Sequence, residues 1–201
     1  MFPVAPHCSS GSRHGAVSAL PRARRRFAVT SGAVVLLAAT AGCGSLSPAF
    51  ENEMSADINV NSPMMQEGRP LPDAYTCAGE GVSPPLEWSG LPDEDRTSSI
   101  AVVADDPSDA HVFWVLYGMD PQVPEIRQNS VPQPAHQGQN SAGGSAYDPP
   151  CPEEGHKHEY RFTVYALSEE VDLPEGAPLE DSLEAIASRA IARGSLTTTS
   201  G

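Results

Sequence analysis

The stretch SSIAVVADDPSDAHVFWVLYGM, from Ser98 to Met119, limits what this chain can fold into more than any other segment. Two apolar runs of strand length, SSIAVV and VFWVLYG, flank a dense polar cluster of two acids, a proline, a third acid and a histidine. Continuous apolar runs of this length, bounded by turn residues, read as buried strands. The polar cluster then reads as a strand-terminal turn that returns the chain to the core, with Asp106 before Pro107 as its first punctuation.

The rest of the chain agrees with a mainly β architecture. DINVNS alternates, and HEYRFTVYAL sets Tyr160, Phe162, Val164 and Ala166 against Arg161, Thr163 and Tyr165. Between the strands lie loops dense in proline and glycine, AGEGVSPPLEWSGLPDEDR and QPAHQGQNSAGGSAYDPPCPEEG. The second exceeds twenty residues, and a loop that long in a compact domain usually serves function. One segment, PLEDSLEAIASRAIA, has a helical stripe of Leu179, Leu183, Ile186, Ala187 and Ile191, with Arg189 and Arg193 towards its C-terminal end. The expected fold is a β-sandwich with long loops gathered at one end and one C-terminal helix.

The first forty-two residues contain no acid; the block Arg22 to Arg26 is followed by an apolar run and then by the small residues Thr40, Ala41 and Gly42 before Cys43. This is the pattern of an export signal, too short and lopsided for an ordinary membrane span. Small residues directly before a cysteine resemble the lipobox of bacterial lipoproteins, so Cys43 is the expected lipidation site. Arg24, Arg25, Arg26 and Phe27 also fit a twin-arginine signal, which leaves two export routes open. The expected organisation is an export signal over 1–42, a lipidated cysteine and flexible tether over 43–55, and one domain over 56–201.

Removing the signal takes away five of the twelve basic residues and none of the twenty-six acids, so the mature chain has a net charge of −19. Such a surface repels nucleic acid and anionic headgroups, and attachment to the membrane falls to the lipid anchor. With Cys8 upstream of the signal core and Cys43 as anchor, Cys77 and Cys151 form a pair in an oxidising compartment, the alternative being two unpaired buried thiols.

Four collinear motifs, GEGVSPPLEWSGLP, AVVADDPSDAHVFWVLYGM, QGQN and YDPPCPEEGHKHEYRFTVYAL, resemble the phosphatidylethanolamine-binding protein family in its bacterial Raf-kinase-inhibitor-like branch. The resemblance spans residues 56–199. It implies a β-sandwich with a small pocket for an anion of phosphate type at one end of the sheet. Carried over by position, the ligand-binding residues are Asp106, Pro107, His111, Trp114, Pro150, His158 and Tyr160, with a proline loop over Pro149, Pro150, Cys151 and Pro152. Ser83, Pro84, Pro85, Leu86 and Trp88 are expected to pack beside the pocket. Three departures stand out: DPSDA replaces the usual DPDAP, Phe113 replaces the histidine before the strand tryptophan, and Pro149 replaces a glycine.

An anion in a largely apolar cleft must meet donors or positive charge. In so acidic a chain these are imidazoles, a phenol and backbone amides. Asp106 is expected to orient His158 and favour its charged form, while Tyr160, two residues along the same strand face, donates from its phenol. His156 and His158 with Asp106 could make a metal site, but no third strong ligand has fixed spacing, so no metal and no cofactor is expected. His136 belongs to an exposed loop. Catalysis has little support, because there is no G-x-S-x-G and Cys151 is committed to a disulfide. The expectation is therefore a non-catalytic, lipid-anchored binding protein at the extracytoplasmic face. Its expected partners are a small anionic ligand and the membrane through its anchor, with a protein as a further candidate. The rival is an inhibitor of an extracytoplasmic protease or other hydrolase that works through surface loops, and a weaker third reading is a hydrolase using Asp106 and His158 as acid and base.

Overall fold

The computed structural model describes residues 58–152 and 155–201. The expected signal, the lipidation site at Cys43 and the tether lie outside the described residues.

The chain runs through β1 (Asn59–Asn61), β2 (Leu86–Ser89), β3 (Ser99–Asp106), β4 (His111–Met119), β5 (Glu125–Ile126), β6 (His136–Gln137), β7 (Glu159–Leu167), α1 (Leu179–Arg189) and β8 (Ala190–Thr199). These strands form a five-stranded sheet in the order β6-β4-β3-β7-β8 and a three-stranded sheet in the order β1-β2-β5, with antiparallel neighbours.

The pleat explains why β3 and β4 are apolar throughout. Ile100, Val102 and Ala104 point into the core between the two sheets, where they meet Val60, Leu86, Trp88 and Ile126. Ala101 and Val103 point the other way and pack with Val115, Tyr117, Val171, Ala177 and Ile186 beneath α1. A strand covered on both faces has no solvent side on which to place polar residues. The mainly β sandwich, with one α-helix among the described residues, is thus the observed fold.

The end of the chain departs from the sequence pattern. The helix stops at Arg189, whose Nη1 donates to the Ala185 carbonyl at 3.0 Å, and Ala190 is already extended. Ile191, expected on the helical stripe, lies in β8 and packs on the inter-sheet core. Pairing with β7 from Ala190 to Thr199 satisfies a ladder of backbone groups, and this outweighs the local helical periodicity of RAIA. Within β8, Gly194 pairs with Val164 while the backbone before β1 crosses over it; a Cβ there would stand 1.7 Å from the Ile58 carbonyl oxygen.

The long loop after β5 is not structureless. It contributes β6 to the sheet edge, so His136 pairs with Tyr117 instead of lying in a free loop, and it then turns on Asn140. That side chain accepts from the Ala142 and Gly144 amides, each at 3.0 Å, and donates to the Ala146 carbonyl at 2.9 Å. Gly138 permits the close approach to α1, since a Cβ would sit 2.6 Å from Ser182 Oγ.

Candidate functional site

The two acids that end β3 face opposite ways, and β7 with the residue just before it answers both. Asp105 sits opposite Arg161 in the ladder and takes its guanidinium in a two-pronged contact, with Nε to Oδ1 at 3.0 Å. Asp106 points inward, and its Oδ2 lies 2.7 Å from His158 Nδ1. Its other oxygen, Oδ1, accepts from the Ser108 amide at 2.8 Å. The carboxylate therefore caps its own turn with one oxygen and holds an imidazole with the other, so the turn-capping and site-forming readings of this residue are both satisfied.

A β-bulge follows the turn. Ala104 pairs with Trp114 and Asp105 with Val112, which leaves Phe113 as the extra residue. Consecutive side chains, Phe113 and Trp114, consequently enter the same core. The Phe113 carbonyl accepts from the Asp148 amide at 3.0 Å, docking the long loop against the bulge. The loop is fixed further by Tyr147, whose hydroxyl donates to the Tyr75 carbonyl at 2.7 Å, and by a disulfide between Cys77 and Cys151 with Cα atoms 5.3 Å apart. On the opposite side, Ser200 clamps the segment before β7, accepting from the His158 amide at Oγ and donating its own amide to the His158 carbonyl, both at 3.0 Å.

These pieces enclose a cavity of about 360 Å³ lined on one side by Asp106, Asp109, His158 and Tyr160 and on the other by His111, Phe113, Asp148 and the segment 149–152. The His158 and Tyr160 rings are parallel with centroids 6.3 Å apart, and Tyr160 meets the edge of Phe113 at 5.7 Å. Three prolines in the far wall carry no amide hydrogen, so that wall offers few backbone donors.

Electrostatics reinforce this asymmetry. Burial alone would raise the Asp106 pKa, but the His158 hydrogen bond and the Ser108 and Asp109 amides outweigh it and hold the carboxyl below its ordinary value. Burial, with the nearby Asp106 and Asp109 charges, pushes the Tyr160 phenol up to about 12. The phenol therefore keeps its proton and can donate. Asp109 Oδ2 also lies 3.4 Å from His158 Nδ1, and ligand atoms of Asp106, Asp109 and His158 fall within 4.8 Å of one another, close enough for these three to hold a metal ion.

The structure brings Asp106, His111, Pro150, His158 and Tyr160 of the expected set around one cavity. Two others are elsewhere. Pro107 is exposed in the turn, and Trp114, 1% exposed, lies in the core with its Nε1 donating to Gln137 Oε1. Trp114 and Ser83 instead line a separate cavity of about 220 Å³, while Leu86 and Trp88 share a core cluster with Phe113 and Tyr160 of the site wall. Asp109 and Asp148 were missed by the sequence reasoning. The displaced acid in DPSDA was the available signal for Asp109, whereas Asp148 reaches the cavity only through the docking of its loop. His111 compensates in position for Phe113, with ring centroids 4.8 Å apart and its Nε2 3.9 Å from Asp148 Oδ2.

The family model for phosphatidylethanolamine-binding protein matches residues 61–201. A UPF0098 protein of Methanothermobacter thermautotrophicus is 36% identical over 137 residues, covering 64% of this chain and 89% of the relative. LppC of Mycobacterium tuberculosis, described as a candidate lipoprotein, is 35% identical over 137 residues, covering 66% of this chain and 67% of its own. A crystal structure from Chlamydia trachomatis, CT736, described as a candidate phosphatidylethanolamine-binding protein homologue, superposes with a TM-score of 0.65 at 33% identity, covering 72% of this chain and 97% of that one. Escherichia coli YbcL shares the fold at a TM-score of 0.66 and 24% identity, covering 71% and 97%. The chain belongs to the phosphatidylethanolamine-binding protein family.

Proposed function

We propose that this member of the phosphatidylethanolamine-binding protein family is a non-catalytic binding protein, anchored through a lipid on Cys43 at the extracytoplasmic face, whose cavity takes a small anion of phosphate type. The observation that carries this reading is the 2.7 Å contact between His158 Nδ1 and Asp106 Oδ2 in the cavity wall. With Nδ1–H committed to the carboxylate, the other ring nitrogen donates to a ligand only when the imidazole is doubly protonated, and the protonated ring is what an anion requires. Tyr160 adds a neutral donor beside it. Among the described residues lining the cavity the thiol of Cys151 is bonded to Cys77 and so is not available as a nucleophile.

The anchor rests on the sequence before Cys43 and on the similarity to LppC. No helix among the described residues is long and apolar enough to cross a membrane. Titrating inorganic phosphate into the mature domain by calorimetry tests the pocket. Asp106→Asn and His158→Ala should each weaken binding at least tenfold, and unchanged affinity in both would end this reading.

A further inference from the structure

Three carboxylates face a cavity assigned above to an anion, and they are not equivalent. Asp106 is 3% exposed at its side chain and is saturated by His158 and the turn amides. Asp109 and Asp148 are 61% and 40% exposed at their side chains, one on each flank of the cavity. Neither is tied up: Asp109 approaches His158 Nδ1 at 3.4 Å, behind the shorter bond to Asp106, and Asp148 stands 3.9 Å from His111 Nε2, beyond hydrogen-bond range.

An ionised carboxylate only accepts hydrogen bonds. Against an anion whose oxygens also only accept, it is both repelled and left without a donor. Against an anion that carries an O–H, the same carboxylate becomes an acceptor for that proton, and repulsion turns into a charge-assisted hydrogen bond. We infer that this pocket selects an oxyanion that keeps a proton of its own, inorganic phosphate or a phosphate monoester, with Asp109 and Asp148 as the residues that accept that proton and so determine specificity. Sulfate has no O–H at neutral pH, and a phosphodiester such as a bilayer phospholipid headgroup has none on phosphorus; both are disfavoured. A phosphate monoester loses its second proton with a pKa of about 6, so the protonated ligand becomes scarce as pH rises above that value. The groups facing a bound anion are Asp106, Asp109, His111, Asp148, His158 and Tyr160.

This inference rests on the anion-pocket reading, and the two fail differently. The mature domain is titrated by calorimetry at pH 6 with inorganic phosphate, methyl phosphate, dimethyl phosphate and sulfate, in the presence of a chelator so that no cation bridges Asp106, Asp109 and His158. Phosphate and methyl phosphate are expected to bind at least tenfold tighter than sulfate or dimethyl phosphate. In Asp109→Asn/Asp148→Asn, whose amides can donate, the preference is expected to fall to threefold or less, chiefly through a gain for sulfate. Cosedimentation with phosphatidylcholine vesicles containing or lacking phosphatidic acid, a lipid monoester, tells a headgroup source from a free phosphate. Equal binding of phosphate and sulfate, or a preference that survives in the double variant, overturns the inference and leaves the anion pocket standing. Binding of none of the four anions overturns both.

Discussion

His158 Nδ1 stands 2.7 Å from Oδ2 of Asp106, a carboxylate whose side chain is 3% exposed, and the imidazole is its only side-chain hydrogen-bond partner among the described residues. The pair joins the end of β3 to the segment before β7 and so fixes one wall of the cavity.

Removing the imidazole leaves a buried carboxylate short of a donor. His158→Ala should cost roughly 2–3 kcal/mol of folding stability, read as a lower urea midpoint at unchanged slope. The pH dependence has a definite sign. The folded-state pKa of Asp106 lies below its unfolded value, so its contribution is present above about pH 4 and is lost as pH falls through the folded value. Urea midpoints measured from pH 5 to pH 2 should drop less steeply in Asp106→Asn than in the wild type.

At high pH the tyrosines dominate. Burial raises the pKa of all five, Tyr75, Tyr117, Tyr147, Tyr160 and Tyr165, so their stabilising contribution is intact below about pH 10 and is lost as pH rises through their folded-state values. Ultraviolet titration should show no phenolate forming near pH 10 while the near-ultraviolet circular dichroism stays native.

The Cys77–Cys151 bridge spans 74 positions in sequence and ties the proline wall to the loop after Leu71, where the Cys77 amide also donates to the Pro150 carbonyl at 3.1 Å. On the loop-entropy account, Cys77→Ser/Cys151→Ser should lose about 2–4 kcal/mol. Phosphate affinity should fall as well, because one wall of the cavity is released; calorimetry at a temperature where the variant is fully folded checks this.

Phe113→His restores an imidazole to the cavity wall. It should tighten phosphate binding at pH 6 several-fold while lowering stability by about 1–3 kcal/mol, because Phe113 is 9% exposed and packs on Tyr160. Calorimetry and thermal melts report the two effects separately.

Gly194→Ala should destabilise by at least about 3 kcal/mol, since the added methyl would meet the Ile58 carbonyl oxygen at 1.7 Å and backbone cannot yield as a side chain can. The expressed variant should be insoluble or show a sharply lower melting temperature.

Sequence alone determined the strands whose burial pattern is local: SSIAVVADD and HVFWVLYGM announce a doubly covered pair, HEYRFTVYAL announces β7, and the apolar stripe of Leu179, Leu183 and Ile186 announces α1. It also placed Asp106, His158 and Tyr160 together, because the motifs carrying them resemble one family. Tertiary structure decided what depends on pairing between distant segments. Residues from Ala190 onward became a strand because β7 offered an unpaired edge, which outweighed the helical spacing of Ile191. A one-residue bulge at Phe113 turned Trp114 into core instead of cavity lining. Asp148 reached the site only because the long loop folds back on Asn140 and docks against the bulge. Hydrogen-bond satisfaction between segments far apart in sequence sets such outcomes, and no local periodicity encodes it.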